Sequence, residues 1–404
     1  MRYLWVFLFS LGVMASATEV TLYQGGFAFV EERKALEPVG EGLARIPGLP
    51  TTIVLGSLAW EGVAAREWRL VSPKRGLEAL IGEEVLVSYA GRTARGVLLS
   101  LEGGLLLETP EGYLLIPEYE SVLSPVKPDS GALPALELVL AGPAPEEITL
   151  RYLVRELSWE ASYIGLYHDG SLVLRGIATL RNGCGVDFTD AEVSLVAGEV
   201  FGPREGESYG AKGIMPLAAA PTVAPVGAYH RYSLPGRVDL RRGETLVEYL
   251  PGTEVAADEG YRFTRGSVLF ILRFENTTGL PLPAGTVRVF GAGAFLGEAA
   301  IGHTPVGEEV ELPLGVAFDL VGERIQTEYT RLAEDRYREG YRIVIRSAKE
   351  EPVTVEVIEE MRGEWRITDS SLPYKVLDAH RVLFRLAVPP EGEAELTYTV
   401  EYTY

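Results

Sequence analysis

Residues Leu150–Val200 read LRYLVRELSWEASYIGLYHDGSLVLRGIATLRNGCGVDFTDAEVSLVAGEV, and this stretch decides the fold class. Apolar and polar residues alternate along it, and the runs are separated by Asp169-Gly170, Asn182-Gly183 and Thr189-Asp190. Asp-Gly and Asn-Gly pairs accept the positive φ that tight hairpin turns demand. Successive side chains of a strand point to opposite faces, so Trp159 and Tyr163 fall on one face and Ser158 and Ser162 on the other. The spacing therefore predicts a series of antiparallel strands with one dry face.

The same alternation recurs elsewhere. Leu396, Tyr398, Val400 and Tyr402 alternate with Thr397, Thr399, Glu401 and Thr403. Val382, Phe384, Leu386 and Val388 repeat it, as do Val353, Val355 and Val357. Gly266–Glu275 (GSVLFILRFE) is a continuous apolar run suited to a central strand buried on both faces. No long window shows apolar residues at i, i+3, i+4 and i+7 between caps. The expected class is all-β, with antiparallel sandwiches of immunoglobulin-like type in several domains.

Residues 77–125 differ. Val85–Tyr89, Ala94–Leu101, Leu105–Thr109 and Tyr113–Pro117 are short strands joined by Ala90-Gly91-Arg92, Glu102-Gly103-Gly104 and Pro110-Glu111-Gly112. Glu118–Val122 reads as a helical turn before a last strand. That order predicts an inserted SH3-like small barrel. Its eight acidic residues face only Arg92 and Arg95, a net charge of −6, which excludes RNA as its ligand. Tyr89, Tyr113 and Tyr119 are too few for an aromatic peptide groove and read as barrel packing.

The resulting organisation is a signal peptide at 1–17 and an N-terminal β segment at 18–72 that completes a later sheet. The small barrel follows at 73–127 and a central β domain at 134–201. A Gly/Ala/Pro-rich flexible loop at 202–228 leads to a sandwich at 229–324 and a C-terminal sandwich at 325–404. The export signal consists of Arg2, the apolar run Tyr3–Met14 and the small-x-small site Ala15-Ser16-Ala17. That run is shorter than the roughly 20 residues a membrane helix needs. A periplasmic, cell-envelope or secreted location is expected.

Composition narrows the partners. Among 404 residues, 57 acidic and 37 basic side chains leave a net charge of −20, which repels nucleic acid and anionic membranes. A single cysteine, Cys184, allows no internal disulfide, so stability must come from packed cores. Asparagine occurs only at 182 and 276 and glutamine only at 24 and 326, a bias shared by thermophiles and GC-rich genomes.

Chemistry-bearing constellations are sparse. His168, His230, His303 and His380 lack a second His or Cys at ligand spacing, so neither a metal nor a cofactor site is expected. Ser158 or Ser162 with His168 and Asp187 could form a triad only if the fold converged them. Glu156, Glu160, Asp187, Asp190 and Glu192 supply carboxylates for a glycoside hydrolase, or solvated faces of an acidic sheet. Asp187, Asp190 and Glu192 are also oxygen ligands of the kind calcium takes. Trp60 with Trp68, and Trp159 with Tyr163, could stack on sugars or pack in the core. Asn276-Thr277-Thr278 is formally a glycosylation sequon but reads more simply as a turn with Gly279. Tyr404 reads as the end of a sandwich edge.

The chain resembles the family called domain of unknown function 4139, which includes mucoidy inhibitor A-like proteins. The matching residues are Leu157–Tyr163 (LSWEASY), Ala178–Asn182, Asp187-Phe188, Leu195–Val200, Tyr232–Pro235, Asn276, Leu282–Gly285, Leu296–Glu298, Leu314-Gly315 and Ala317–Asp319. The resemblance covers most of residues 19–404. It implies an exported, β-rich protein tied to envelope or exopolysaccharide physiology and supplies no catalytic residue. The expected function is a non-enzymatic envelope protein that binds or builds through its sandwich surfaces, with an envelope protein or polysaccharide as partner. An acid/base hydrolase of envelope glycans is the alternative. Ligand and oligomeric state are left open.

Overall fold

The computed structural model describes residues 18–74, 76–125, 133–198, 200–203, 224–226, 229–264 and 266–403. Among these residues there is no α-helix; short 3-10 turns occur at Leu55–Ser57 and Gly76–Leu80. The molecule is all-β, built of multiple antiparallel sheets packed as sandwiches. Among the described residues no helix is long and apolar enough to cross a membrane. The expected signal peptide lies outside the described residues, as do Tyr404 and most of the 202–228 loop. Within that loop Ala224–Val226 forms a short strand against Tyr229–Leu240.

A seven-stranded sheet draws its members from distant parts of the chain. Glu19–Tyr23 lies between Phe188–Ala197, to which it is parallel, and Phe27–Ala35, to which it is antiparallel. Glu147–Arg155 then pairs with Phe27–Ala35 along nine residues. A ten-stranded sheet carries Leu157–His168 and Ser171–Asn182 side by side, next to Gly243–Thr264. One core fills the space between these sheets and a four-stranded sheet that includes Leu43–Ile46 and Ala135–Leu140. Leu22, Val30, Ile46, Leu138, Tyr152, Trp159 and Tyr163 are all fully buried there.

Gly243–Thr264 is the spine. At 22 residues it spans about 70 Å. Its first part pairs with Ser171–Asn182 and contributes Leu250, Val255 and Ala257 to the first core. Its last part pairs with Ser267–Glu275 and contributes Tyr261 and Phe263 to a second core. That second core lies between Val353–Glu360 and Arg381–Val388 on one side and the sheet of Leu320–Arg331, Arg336–Ser347, Glu393–Thr403 and Glu364–Ser370 on the other. Ser267–Glu275 also serves both, with Val268 in the second core and Leu272 and Phe274 in the first.

This continuity corrects the expected partition. The 134–201 segment is not a unit of its own: its strands are shared among three sheets. The expected boundary at 324/325 falls inside the strand Leu320–Arg331. Alternation fixes which face of a strand is dry but not which sheet it joins. Glu393–Thr403 lies between Arg336–Ser347 and Glu364–Ser370, so it is a central strand rather than an edge.

The segment expected to form a small barrel is a five-stranded sheet inserted between Ala65–Val71 and Ala135–Leu140, which pair with each other and bring its ends together. Glu84–Tyr89, Arg92–Ser100, Leu105–Thr109 and Gly112–Ile116 form a meander, and Ser121–Leu123 returns to Glu84–Tyr89. Ala90 and Gly91 both adopt positive φ in the first turn. Gly104 could carry no side chain, since a Cβ there would meet Ile116 O at 2.5 Å. The helical turn expected at Glu118–Val122 is instead a bend leading into a strand. Leu80, Val85, Val87, Leu98, Leu105, Leu107 and Ile116 make a separate small core.

Candidate functional site

Several of the residues that carry the family resemblance meet in the interior of the first sandwich. Trp159 and Tyr163 project inward from Leu157–His168, as period two dictates, and neither is exposed. Tyr232 and Tyr249 pack edge-on or tilted against them, with ring centroids 5.8–6.4 Å apart. Three of the four polar tips end on backbone carbonyls. Trp159 Nε1 donates to Val196 O at 3.0 Å, Tyr163 Oη to Pro283 O at 2.7 Å, and Tyr232 Oη to Pro281 O at 2.9 Å. Burial holds the Tyr163 and Tyr232 phenols above their ordinary range, so both remain donors.

The asparagines complete the same frame. Asn182 Nδ2 donates to Val186 O and Leu240 O, both at 2.8 Å, and its Oδ1 accepts from Cys184 N. Asn276 Nδ2 reaches Leu280 O, Thr304 O and Pro305 O, and its Oδ1 accepts from Thr278. Asn276 is fully buried, so its sequon is closed to glycosylation in the folded protein. Cys184 is free and buried, and burial pushes its thiol up to about 11, which leaves it a poor nucleophile.

The expected catalytic combinations are dispersed. His168 ends the strand that begins beside Ser158, about 33 Å away along the chain, and sits exposed beside Asp169. Ser162 is about 20 Å from it by the same rise. Asp187 accepts from Arg242, Asp190 pairs with Arg237, and Glu160 pairs with Arg181. Glu192 lies opposite Glu19 on the outer face of the seven-stranded sheet. Partial burial, then Glu192 and Glu31, raise the Glu19 carboxyl above its ordinary range, but on an open sheet face. Trp159 and Tyr163 lie too deep to stack on a sugar. Trp60 and Trp68 meet edge to face at 6.0 Å, and Trp68 is 44% exposed.

Two buried carboxylates were not singled out by sequence. Glu32 follows Ala28 and Val30 on the inward phase of Phe27–Ala35, and Glu359 follows Val355 and Val357 on that of Val353–Glu360. A glutamate in the apolar phase of a strand was the available signal. Glu32 accepts from Tyr152 Oη at 2.7 Å and faces Lys34 at 3.4 Å. Glu359 accepts from Tyr398 Oη and from Arg324 at 2.9 Å, and the Arg324 guanidinium lies 3.7 Å above the Tyr341 ring. Burial disfavours the Arg324 cation, but Glu359 and the neighbouring phenols outweigh it and raise its pKa.

Beside Glu359 opens a cleft of about 690 Å³ lined by Thr264, Arg324, Ile358–Arg362 and Asp378–Arg381. No protein-family model matches the chain, and no curated protein matches it.

Proposed function

We propose that the chain is an exported, non-enzymatic protein of the cell envelope, related to the domain of unknown function 4139 family. It acts by contact, through its sandwich surfaces, on an envelope protein or polysaccharide. The observation that carries this is the use made of the motif side chains. Trp159, Tyr163, Tyr232, Asn182 and Asn276 spend their polar atoms on backbone groups inside the molecule. They brace loops such as Pro281–Pro283 and leave nothing facing substrate.

The hydrolase alternative has its best geometry in the Glu359 cleft, where Glu360 and Asp378 add carboxylates. A glycosidase needs one carboxyl with a raised pKa as acid. Asp378 goes the other way: the His380 backbone N–H and the Arg381 guanidinium hold it below the ordinary carboxylate range. Glu359 is already committed to Arg324 and Tyr398.

The test is sedimentation of the mature chain with washed envelope fragments, stripped of protein in one arm and of polysaccharide in the other. Saturable retention by one arm is expected. Equal amounts in the supernatant with and without envelopes would refute the proposal.

A further inference from the structure

The wall of the cleft beside Glu359 includes a charged side chain that is almost wholly buried, 6% exposed. Its rim is held from both sides. Met361 N donates to His380 O at 2.7 Å, Trp365 Nε1 to Ala379 O at 2.7 Å, and His380 N to Asp378 Oδ1 at 2.9 Å. The charges lining it are then largely spoken for. Arg324 is bound by Glu359. Arg381 is bound by Asp378 at 2.7 Å. Glu360 has an interaction of its own. Two donors are left over among the described residues, the Arg362 guanidinium and the His380 imidazole, both exposed at the rim.

In a protein with a net charge of −20 the cleft is locally neutral, its three arginines Arg324, Arg362 and Arg381 balancing Glu359, Glu360 and Asp378. A planar guanidinium and an imidazole lining one cleft offer N–H donors of the kind a carboxylate or phosphate accepts. Met361 and Ile358 add apolar lining for the body of a ligand. We propose that this cleft binds a small oxyanion-bearing ligand, a carboxylate or a phosphate, held by Arg362 and His380 over the Arg324–Glu359 pair. The site deepens the non-enzymatic function above and rests on it: the ligand is held without being cleaved.

Calorimetry on the mature chain with inorganic phosphate, gluconate and neutral glucose tests this. One or both anions are expected to bind and glucose not to bind; the responding anion identifies the source. Arg362→Ala and His380→Ala should each weaken binding about tenfold with the melting temperature unchanged, since both side chains are exposed. No heat from either anion, or binding unaffected by both substitutions, would overturn the site. Following a chromogenic phosphate ester and a glycoside in parallel separates the two proposals. Product release would sink the non-enzymatic function, whereas absence of binding alone would sink only the site.

Discussion

Each large core is closed at one end by an inward glutamate hydrogen-bonded to a tyrosine, but the two closures do different jobs. Glu32 and Tyr152 stand on neighbouring strands of one sheet, and Lys34 is two residues further along the same strand as Glu32. Glu359 belongs to one sheet of its sandwich, while Tyr398 and Arg324 reach it from the opposite sheet. The first closure is a local brace that a flexible lysine completes. The second ties two sheets through a guanidinium stacked on Tyr341. The same chemistry thus gives a brace within one sheet in one place and a sheet-to-sheet clamp in the other, each lining a cleft.

The largest effect that would break the comparison is at Arg324. Arg324→Ala strands a buried carboxylate and should cost about 3–5 kcal/mol by urea unfolding, and Lys34→Ala should cost less, since its one contact with Glu32 is longer at 3.4 Å and joins residues of a single strand. Equal losses would mean the two closures are alike. Tyr398→Phe and Tyr152→Phe each remove one donor from a buried carboxylate and should cost about 1–3 kcal/mol.

Replacing the whole Arg324–Glu359 pair with apolar residues, Arg324→Met with Glu359→Leu, should be near neutral in stability, because the desolvation cost disappears with the attraction. The same double variant should lose oxyanion binding. A fully stable variant that still binds would separate the clamp from the cleft.

The smallest expected effect is pH-dependent and tests whether a half-buried ion network behaves like the clamp at Glu359. Arg262 binds Glu311 at 2.7 Å and, with Arg273, pulls its carboxyl from 4.5 down to about 2. A depressed folded-state value stabilises above about pH 4.5 and is lost as pH falls from there toward 2. Glu311→Gln should therefore lower the melting temperature at pH 7, and the difference should shrink to nothing near pH 2. A difference that persists at pH 2 would assign the loss to packing instead.

Much of the architecture was legible because period two is a short-range signal. Trp159, Tyr163, Val355 and Tyr398 fall on the dry faces that alternation assigns them. Sheet membership was not legible: Glu19–Tyr23 pairs with a strand about 170 residues away, and no local pattern encodes that partner. Nor could composition show that one strand, Gly243–Thr264, feeds two cores. The site followed the same rule. Glu359 was readable as a charge in an apolar phase and Arg362 follows it three residues on, whereas Arg324 and His380 join them only through folding of more distant segments.

The most direct measurement is turnover by the purified mature protein on envelope polysaccharides, peptides and esters, followed alongside its binding to the same materials. Binding without product is the predicted result. Product release that disappears in Glu360→Gln or Asp378→Asn would contradict the account, because it would make the cleft an active site.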